Sequence, residues 1–303
     1  MNTSSSQTIL VTGASGFLGQ HTVAFLNKFF EVRTRSLREE ESIATSLISG
    51  IDTVIYLTGI AHQSKKIDSS LYYLVNKDMA VSFAKRCKEA GSKHFIYISS
   101  IKAIGEGSKA IHKEGELCNP LTDYGKSKLE AEQELLKLSD EEFLVSVIRP
   151  SVVYGKGAKG NIDKLVKLIA RLPIIPLGGV QNRRSMVYVG NFLALLKRII
   201  DTRLEGVFIA ADNQSVSTSD IVHEINTQNA VQKQIIYLPK FIPNVLRLLK
   251  PDLHSKLFGD FVVDNSFTNK RLNFTPPYTF KEGMKEMLGP SSEFKKLQSD
   301  VSV

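Results

Sequence analysis

The sequence predicts an α/β protein: a doubly wound parallel sheet with a smaller, mainly helical lobe. Three observations carry this. Thr8-Ile9-Leu10-Val11 is a β-branched run that passes straight into Thr12-Gly13-Ala14-Ser15-Gly16-Phe17-Leu18-Gly19 and then into a helical apolar pattern. Short apolar runs of strand length recur at 30–35, 53–57, 93–98, 143–148 and 207–210, with helical or loop segments between them. The texture then changes after Gly155, where glycines and prolines punctuate residues 155–179.

Length and composition set the outer bounds. The chain has 303 residues and 42% hydrophobic content, enough for one large core or two small ones. No apolar run reaches the length of a membrane span, and residues 1–7 lack the basic-then-apolar order of a signal peptide. Cys87 and Cys118 form neither a metal nor a disulfide pattern, so two thiols in a cytoplasmic, reducing compartment are expected. The formal charge is +8, but the basic residues are spread along the chain and nucleic-acid motifs are absent. The excess therefore reads as solvated surface plus a few groups kept for phosphates.

Strand, glycine loop and helix in that order form a dinucleotide cradle. Gly13, Gly16 and Gly19 allow the tight turn and a close backbone approach, and the helix start at Ser15, Phe17 and Leu18 offers unpaired N–H groups to a pyrophosphate. The next strand ends in Arg33 and Arg35, where an NAD-specific site would carry Asp or Glu. Arginine suits a 2′-phosphate, so NADP(H) is favoured, with NAD(H) still possible. Only residues 36–50 separate this strand from the next, room for one helix at 39–48 but not for a helix–strand–helix crossover. Leu57 and Thr58, at the end of the third strand, should also face the cofactor.

The segment that organises the site is 119–130. Tyr124 and Lys128 are one helical turn apart, with Cβ atoms about 5–6 Å apart. A phenol with a reference pKa of about 10 becomes a usable base when an ammonium beside it favours the phenolate. Tyr73 and Lys77 have the same spacing, so spacing alone decides nothing. Context favours Tyr124, because the buried run 93–98 ends in Ser99-Ser100, which brings a hydroxyl to the same cleft. Residues 72–90 read as a helix with Leu71, Leu74, Val75, Met79, Val81, Phe83 and Ala84 mostly inward, capped by Gly91. Asn76 within it either holds a group near the nicotinamide or satisfies a buried backbone group.

Residues 1–155 with 186–212 are expected to form the dinucleotide-binding, Rossmann-type domain, and 156–185 with 213–303 the substrate-binding lobe. Ser217-Thr218-Ser219-Asp220 is a good helix start, and the chain beyond it reads as mostly helical, with a loosely held tail from Pro290. The stretch 241–250 is amphipathic and basic. Packing on the lobe is the ordinary reading, and attachment to a membrane surface the alternative; stable insertion is not expected.

Together these motifs resemble the extended short-chain dehydrogenase/reductases that act on nucleotide sugars, over residues 9–277. The resemblance rests on the glycine loop, Ser99-Ser100, Tyr124 with Lys128, the run 149–155, and Arg184 leading into Val187-Tyr188-Val189. It implies that Ser100 holds the sugar 4-oxygen, Tyr124 is the acid/base, and Lys128 lowers its pKa and holds the ribose. It adds Pro150 and Val152 to the cofactor site. It assigns Lys102, Asn161, Leu177 and Arg184 to a UDP-sugar substrate, 172–178 lining the uridine pocket. Within the family, Ser100-Ile101-Lys102, Gly160-Asn161 and Asn182-Arg183-Arg184-Ser185 are most similar to UDP-glucose 4-epimerase-like enzymes. Some of these reduce 4-keto sugars for surface polysaccharide. Ser100-Ile101-Lys102 stands where dehydratases carry Thr-Asp-Glu, so dehydration is not expected. Leu257-Phe258-Gly259-Asp260 lacks the Arg that full-size epimerases place before Gly-Asp. Hydride transfer at carbon 4 follows, as epimerase or 4-keto-reductase, with a homodimer as the default assembly. A non-catalytic NADP(H) sensor is the alternative.

Overall fold

The computed structural model describes residues 7–37, 48–60, 68–106, 111–228, 232–239 and 241–289. The helix expected at 39–48 lies outside these apart from Ile48, as do the tail from Pro290 and the first six residues. In chain order the elements are β1 (Thr8–Thr12), α1 (Phe17–Leu26), β2 (Glu31–Arg35), β3 (Thr53–Tyr56), α2 (Ser69–Tyr73), a π-helical turn (Leu74–Asp78), α3 (Met79–Glu89), β4 (His94–Ile98), β5 (Ile111–Lys113), α4 (Asp123–Leu136), β6 (Leu144–Pro150) and β7 (Val152–Tyr154). They continue with α5 (Asn161–Arg171), β8 (Ile174–Gly178), β9 (Met186–Tyr188), α6 (Val189–Thr202), β10 (Gly206–Ala210), α7 (Thr218–Gln228), β11 (Gln234–Tyr237), α8 (Phe241–Leu249), α9 (Pro251–Phe258), β12 (Val262–Asp264), α10 (Ser266–Leu272) and α11 (Phe280–Leu288).

Six parallel strands form the sheet in the order β10-β6-β4-β3-β1-β2. The alternation of side chains along each strand divides the core in two. Ile9, Val11, Ile55, Ile96 and Ile148 face the layer of α1 and α6. Leu10, Val54, Tyr56, Phe95, Tyr97 and Val145 face α3 and α4. Both faces of the inner strands are covered, which is why β1, β3 and β4 read as largely apolar runs, while β2, Glu-Val-Arg-Thr-Arg, is mostly exposed. The order reverses at β1, which pairs with β2 on one side and β3 on the other, so the switch-point crevice opens at the carboxyl ends of these strands. Among the described residues β2 is an edge strand, in keeping with the short connection after it.

A third core gathers Tyr154, Ile162, Val166, Ile169, Leu177, Val222, Ile225 and Met284, from α5, α7, α11 and the short strands around them. Three two-stranded pairs, β7–β9, β8–β11 and β5–β12, stitch distant segments together. Only three to five residues long, these strands carry too little alternation for the sequence to announce them.

One expectation is corrected here. The helix read at 72–90 is interrupted by the π turn, and Leu71 and Leu74 are exposed while Tyr72 and Asn76 are buried. A wider turn rotates the face that an uninterrupted helix would present. The reason lies at Asn76: its backbone carbonyl accepts from the Tyr97 hydroxyl at 2.7 Å, and its side chain turns inward.

Candidate active site

The glycine loop is shaped by backbone contact. Gly13 has φ +67° and sits against the Leu57–Thr58 peptide, where a Cβ would come within 2.8 Å. A Cβ on Gly19 would lie 2.2 Å from the Gly13 carbonyl oxygen, so α1 can close on the loop only with glycine there. Gly16 differs: the nearest atom to a Cβ would be 3.4 Å away, and no side chain caps the α1 N-terminus that it begins. Thr58 stands beside β1, its N–H directed at Thr12 Oγ1 3.4 Å away. The Thr58 and Ser151 hydroxyls, at the carboxyl ends of β3 and β6, are buried with no hydrogen-bond partner. An open helix N-terminus, a glycine whose vacant side faces that end, and two orphaned hydroxyls on the same sheet edge fit a pyrophosphate-containing dinucleotide.

Tyr124 and Lys128 stand on the buried face of α4, whose start is fixed by Thr122 accepting from the Gly125 N–H at 3.2 Å. The Ser100 hydroxyl hydrogen-bonds the Tyr124 phenol and pulls its pKa down, but burial dominates and holds the phenol above its ordinary value. Tyr72 packs edge-on to it at 5.8 Å between ring centroids. Lys128 Nζ donates to the Ile98 carbonyl at 3.1 Å and lies 4.6 Å from the centre of the Tyr97 ring. Burial depresses its pKa to about 7, opposed by the Glu132 carboxylate. Burial thus works against charge at both groups, raising the Tyr124 phenol and lowering the Lys128 ammonium.

Glu132, one turn beyond Lys128, pairs in the core with Arg149, whose Nε lies 3.0 Å from Oε2, and accepts from the Ser99 hydroxyl. Asn76 Oδ1 accepts from the Ile60 N–H at 2.9 Å, and Nδ2 donates to the Ile60 carbonyl and to Ser127 Oγ. It therefore fastens the segment after β3 to α4. A Cβ on Gly59 would stand 3.4 Å from Lys128 Nζ, so this glycine leaves the space beside the lysine open. Sequence reasoning gave no role to Glu132 or Gly59, and named Ser99 and Ser151 only as parts of longer motifs. The available signal was Arg149 inside an otherwise apolar strand, a charge that requires a buried partner. The second pair at this spacing behaves differently: Lys77 bridges to Glu130 at 2.9 Å on the surface.

The remaining expected residues scatter. Arg33 is exposed and paired with Glu31 at 2.8 Å, while Arg35 is exposed at the end of β2, opposite Thr12. Pro150 is buried at the end of β6, and Val152 is exposed on β7. Lys102 lies two residues past Ser100 on a short 3₁₀ turn; burial lowers its pKa, and Lys256 lies near enough to lower it further. Lys256, on α9, was also missed. Arg184 Nη1 donates to the carbonyls of Ser255 and Lys256 at 3.0 and 2.8 Å and so closes the end of α9. Asn161 is exposed at the start of α5, and the Leu177 side chain is buried in the lobe core, leaving only its backbone to meet a ligand.

The profile of the NAD dependent epimerase/dehydratase family matches residues 9–208. The chain belongs to this family. The match begins in β1 and ends in β10, so it spans all six strands of the sheet. Among its curated relatives, the chain is similar to a UDP-glucose 4-epimerase of Vibrio cholerae, 33% identical over 92% of this chain and 94% of that one. It is also similar to N-acetyl-alpha-D-glucosaminyl-diphospho-ditrans,octacis-undecaprenol 4-epimerase of Escherichia coli O157:H7, 26% identical over the same shares. Among solved structures, MoeE5 in complex with UDP-glucose and NAD shares the fold at a TM-score of 0.74 and 22% identity, over 95% of this chain and 98% of that one.

Proposed function

We propose that the protein is a 4-epimerase of a sugar carried on a diphosphate, working by hydride transfer at carbon 4 with a nicotinamide dinucleotide. The observation that carries this reading is the hydrogen bond between Ser100 and Tyr124, with Lys128 one turn along, beside the glycine cradle. The two curated relatives differ in carrier, nucleotide in one name and polyprenol in the other, but share a 4-epimerase name.

The cradle of Gly13, Gly16 and Gly19 with Thr58 and Ser151 would hold the dinucleotide. Once bound, that group supplies a hydride acceptor and donor and, when oxidised, a positive ring. Tyr124 is the proton carrier at the sugar 4-oxygen. Ser100, donating to the phenol oxygen, stabilises the phenolate as it forms and orients the 4-oxygen. Lys128, with its pKa near 7, gains or loses a proton near neutral pH and so can share the proton that Tyr124 handles. Glu132, clamped by Arg149 and Ser99, fixes the field around Lys128. Lys102 and Lys256, whose charges repel each other, suit an intervening diphosphate, with Arg184 supporting the α9 end that presents Lys256. With Arg33 tied to Glu31, any preference for NADP rests on Arg35.

The test is incubation with UDP-glucose, UDP-N-acetylglucosamine and polyprenyl-diphospho-N-acetylglucosamine, without added cofactor. Interconversion of the 4-epimers is expected, with loss of about 10²–10⁴-fold in kcat for Tyr124→Phe. Stoichiometric NADPH consumption on a 4-keto sugar, with no epimer formed, identifies a reductase instead. Cofactor binding with no turnover of any of these leaves the sensor reading standing.

A further inference from the structure

We propose that the outward face of α8 docks on a bilayer surface bearing anionic phospholipid. Packing of 241–250 on the lobe was the ordinary expectation, and it accounts for one side of α8 only: Ile242, Pro243 and Leu246 are half-buried, and none of the nine residues is buried. At 100° per residue, Phe241, Val245, Leu248 and Leu249 share one arc, and Ile242 and Leu246 the arc beside it. That second arc and Pro243 next to it are half-buried. The first stands in solvent, with Phe241 65%, Val245 47%, Leu248 83% and Leu249 72% exposed. Tyr237, just before the helix, and Leu253, on α9, add exposed apolar surface.

Charge identifies the occupant. Asn244 and Arg247 share the remaining arc of α8 with Pro243, Lys250 directly follows the helix, and residues 240–256 carry four basic side chains, Lys240, Arg247, Lys250 and Lys256, against one acidic, Asp252. The core of a protein–protein interface is depleted in charge and rich in aromatic groups. An apolar stripe edged by Lys and Arg is instead the pattern of a helix lying flat in the headgroup region of an anionic membrane. Nine residues make about 13 Å of helix, far short of a span. The same hairpin ends at the Arg184 carbonyl contacts and at Lys256 beside Lys102, so docking would set the bilayer next to the mouth of the candidate site. The inference rests on the surface of α8 and the residues flanking it, and stands whatever sugar is turned over.

The experiment is cosedimentation of the purified full chain with phosphatidylcholine vesicles and with vesicles of phosphatidylcholine and phosphatidylglycerol in equal parts. The wild type is expected to bind the anionic vesicles roughly tenfold or more tightly than the neutral ones. Phe241→Glu with Leu248→Glu should abolish the binding, and Arg247→Gln with Lys250→Gln should erase the preference for anionic lipid. All of these positions are exposed, and unchanged melting curves will show that the fold is kept. No sedimentation of the wild type, or binding indifferent to both variant pairs, overturns the proposal. So does a dimer, seen by light scattering, that the glutamate pair dissociates while no vesicle binding occurs, since α8 would then be covered by a second copy.

Discussion

Lys128→Met removes a buried cation whose cost can be worked out. In the unfolded chain this lysine keeps its proton up to about pH 10.5, while in the fold it releases it near pH 7. Between those values the unfolded state binds more protons, so stability rises with pH through the window. The contribution is smallest at and below about pH 7, where folding must bury the charge or lose the proton, and is fully regained above pH 10.5. Each pH unit in the window is worth about 1.4 kcal/mol, so the whole span of about 3.5 units is worth up to about 5 kcal/mol. Methionine keeps much of the length without the charge, and gives up the 3.1 Å bond to the Ile98 carbonyl, a loss of about 1–3 kcal/mol at every pH. Urea denaturation of the cofactor-free protein at pH 7 and pH 9.5 should therefore show wild-type stability gaining on that of the variant by about 3 kcal/mol between the two. Other lysines and tyrosines titrate in the same range, but they are common to both proteins and cancel in the difference. A wild-type–variant difference that is flat with pH would refute the argument, because Lys128 would then carry an ordinary charge in the fold.

Gly19→Ala should lower the melting temperature and weaken dinucleotide binding, since its Cβ meets the rigid Gly13 carbonyl; Gly16→Ala should leave melting near the wild type and weaken binding alone. Thermal melts with and without NAD separate the two. Burial raises the Glu114 pKa from 4.5 to about 7, so the folded state binds the extra proton and stability is lost as pH rises through that window. Glu114→Gln should therefore gain up to about 3 kcal/mol on the wild type between pH 4.5 and pH 8, read by urea denaturation at both. Arg35→Asp should weaken NADP binding at least tenfold and spare NAD, whereas Arg33→Gln should change neither by more than about threefold; fluorescence titration with each nucleotide checks this.

The sheet was legible because each strand alternates between two apolar layers, so that Ile9 and Val11 serve one and Leu10 the other. The glycine loop was legible for a different reason: at Gly13 and Gly19 glycine is imposed by backbone collisions that nearly any side chain would provoke. The interior of the helix holding Asn76 was not. A π turn has no periodic mark, and it exists here because one carbonyl is drawn to Tyr97, a residue 21 positions away. The same applies to Lys256, close enough to be felt by Lys102, on the end of α9 that Arg184 holds.

The two tyrosine–lysine pairs show where reading stops. Both have one-turn spacing, and spacing fixes only which side chains share a face. Lys77 lies against Glu130 in reach of water, and its pKa rises. Lys128 lies under Tyr97 and against the end of β4, and its pKa falls to about 7. The partners that separate them come from elements 20 to 60 residues away in sequence. Periodicity could therefore nominate Tyr124 and Lys128 as a pair, and the serine at the end of β4 could favour it over the decoy. The charge state in which the pair waits is decided by burial, and burial here belongs to the packing of α4 on the sheet. Held above its ordinary pKa, the Tyr124 phenol that Ser100 hydrogen-bonds would yield little phenolate until a positive group arrives, which would tie proton transfer to occupancy of the cradle.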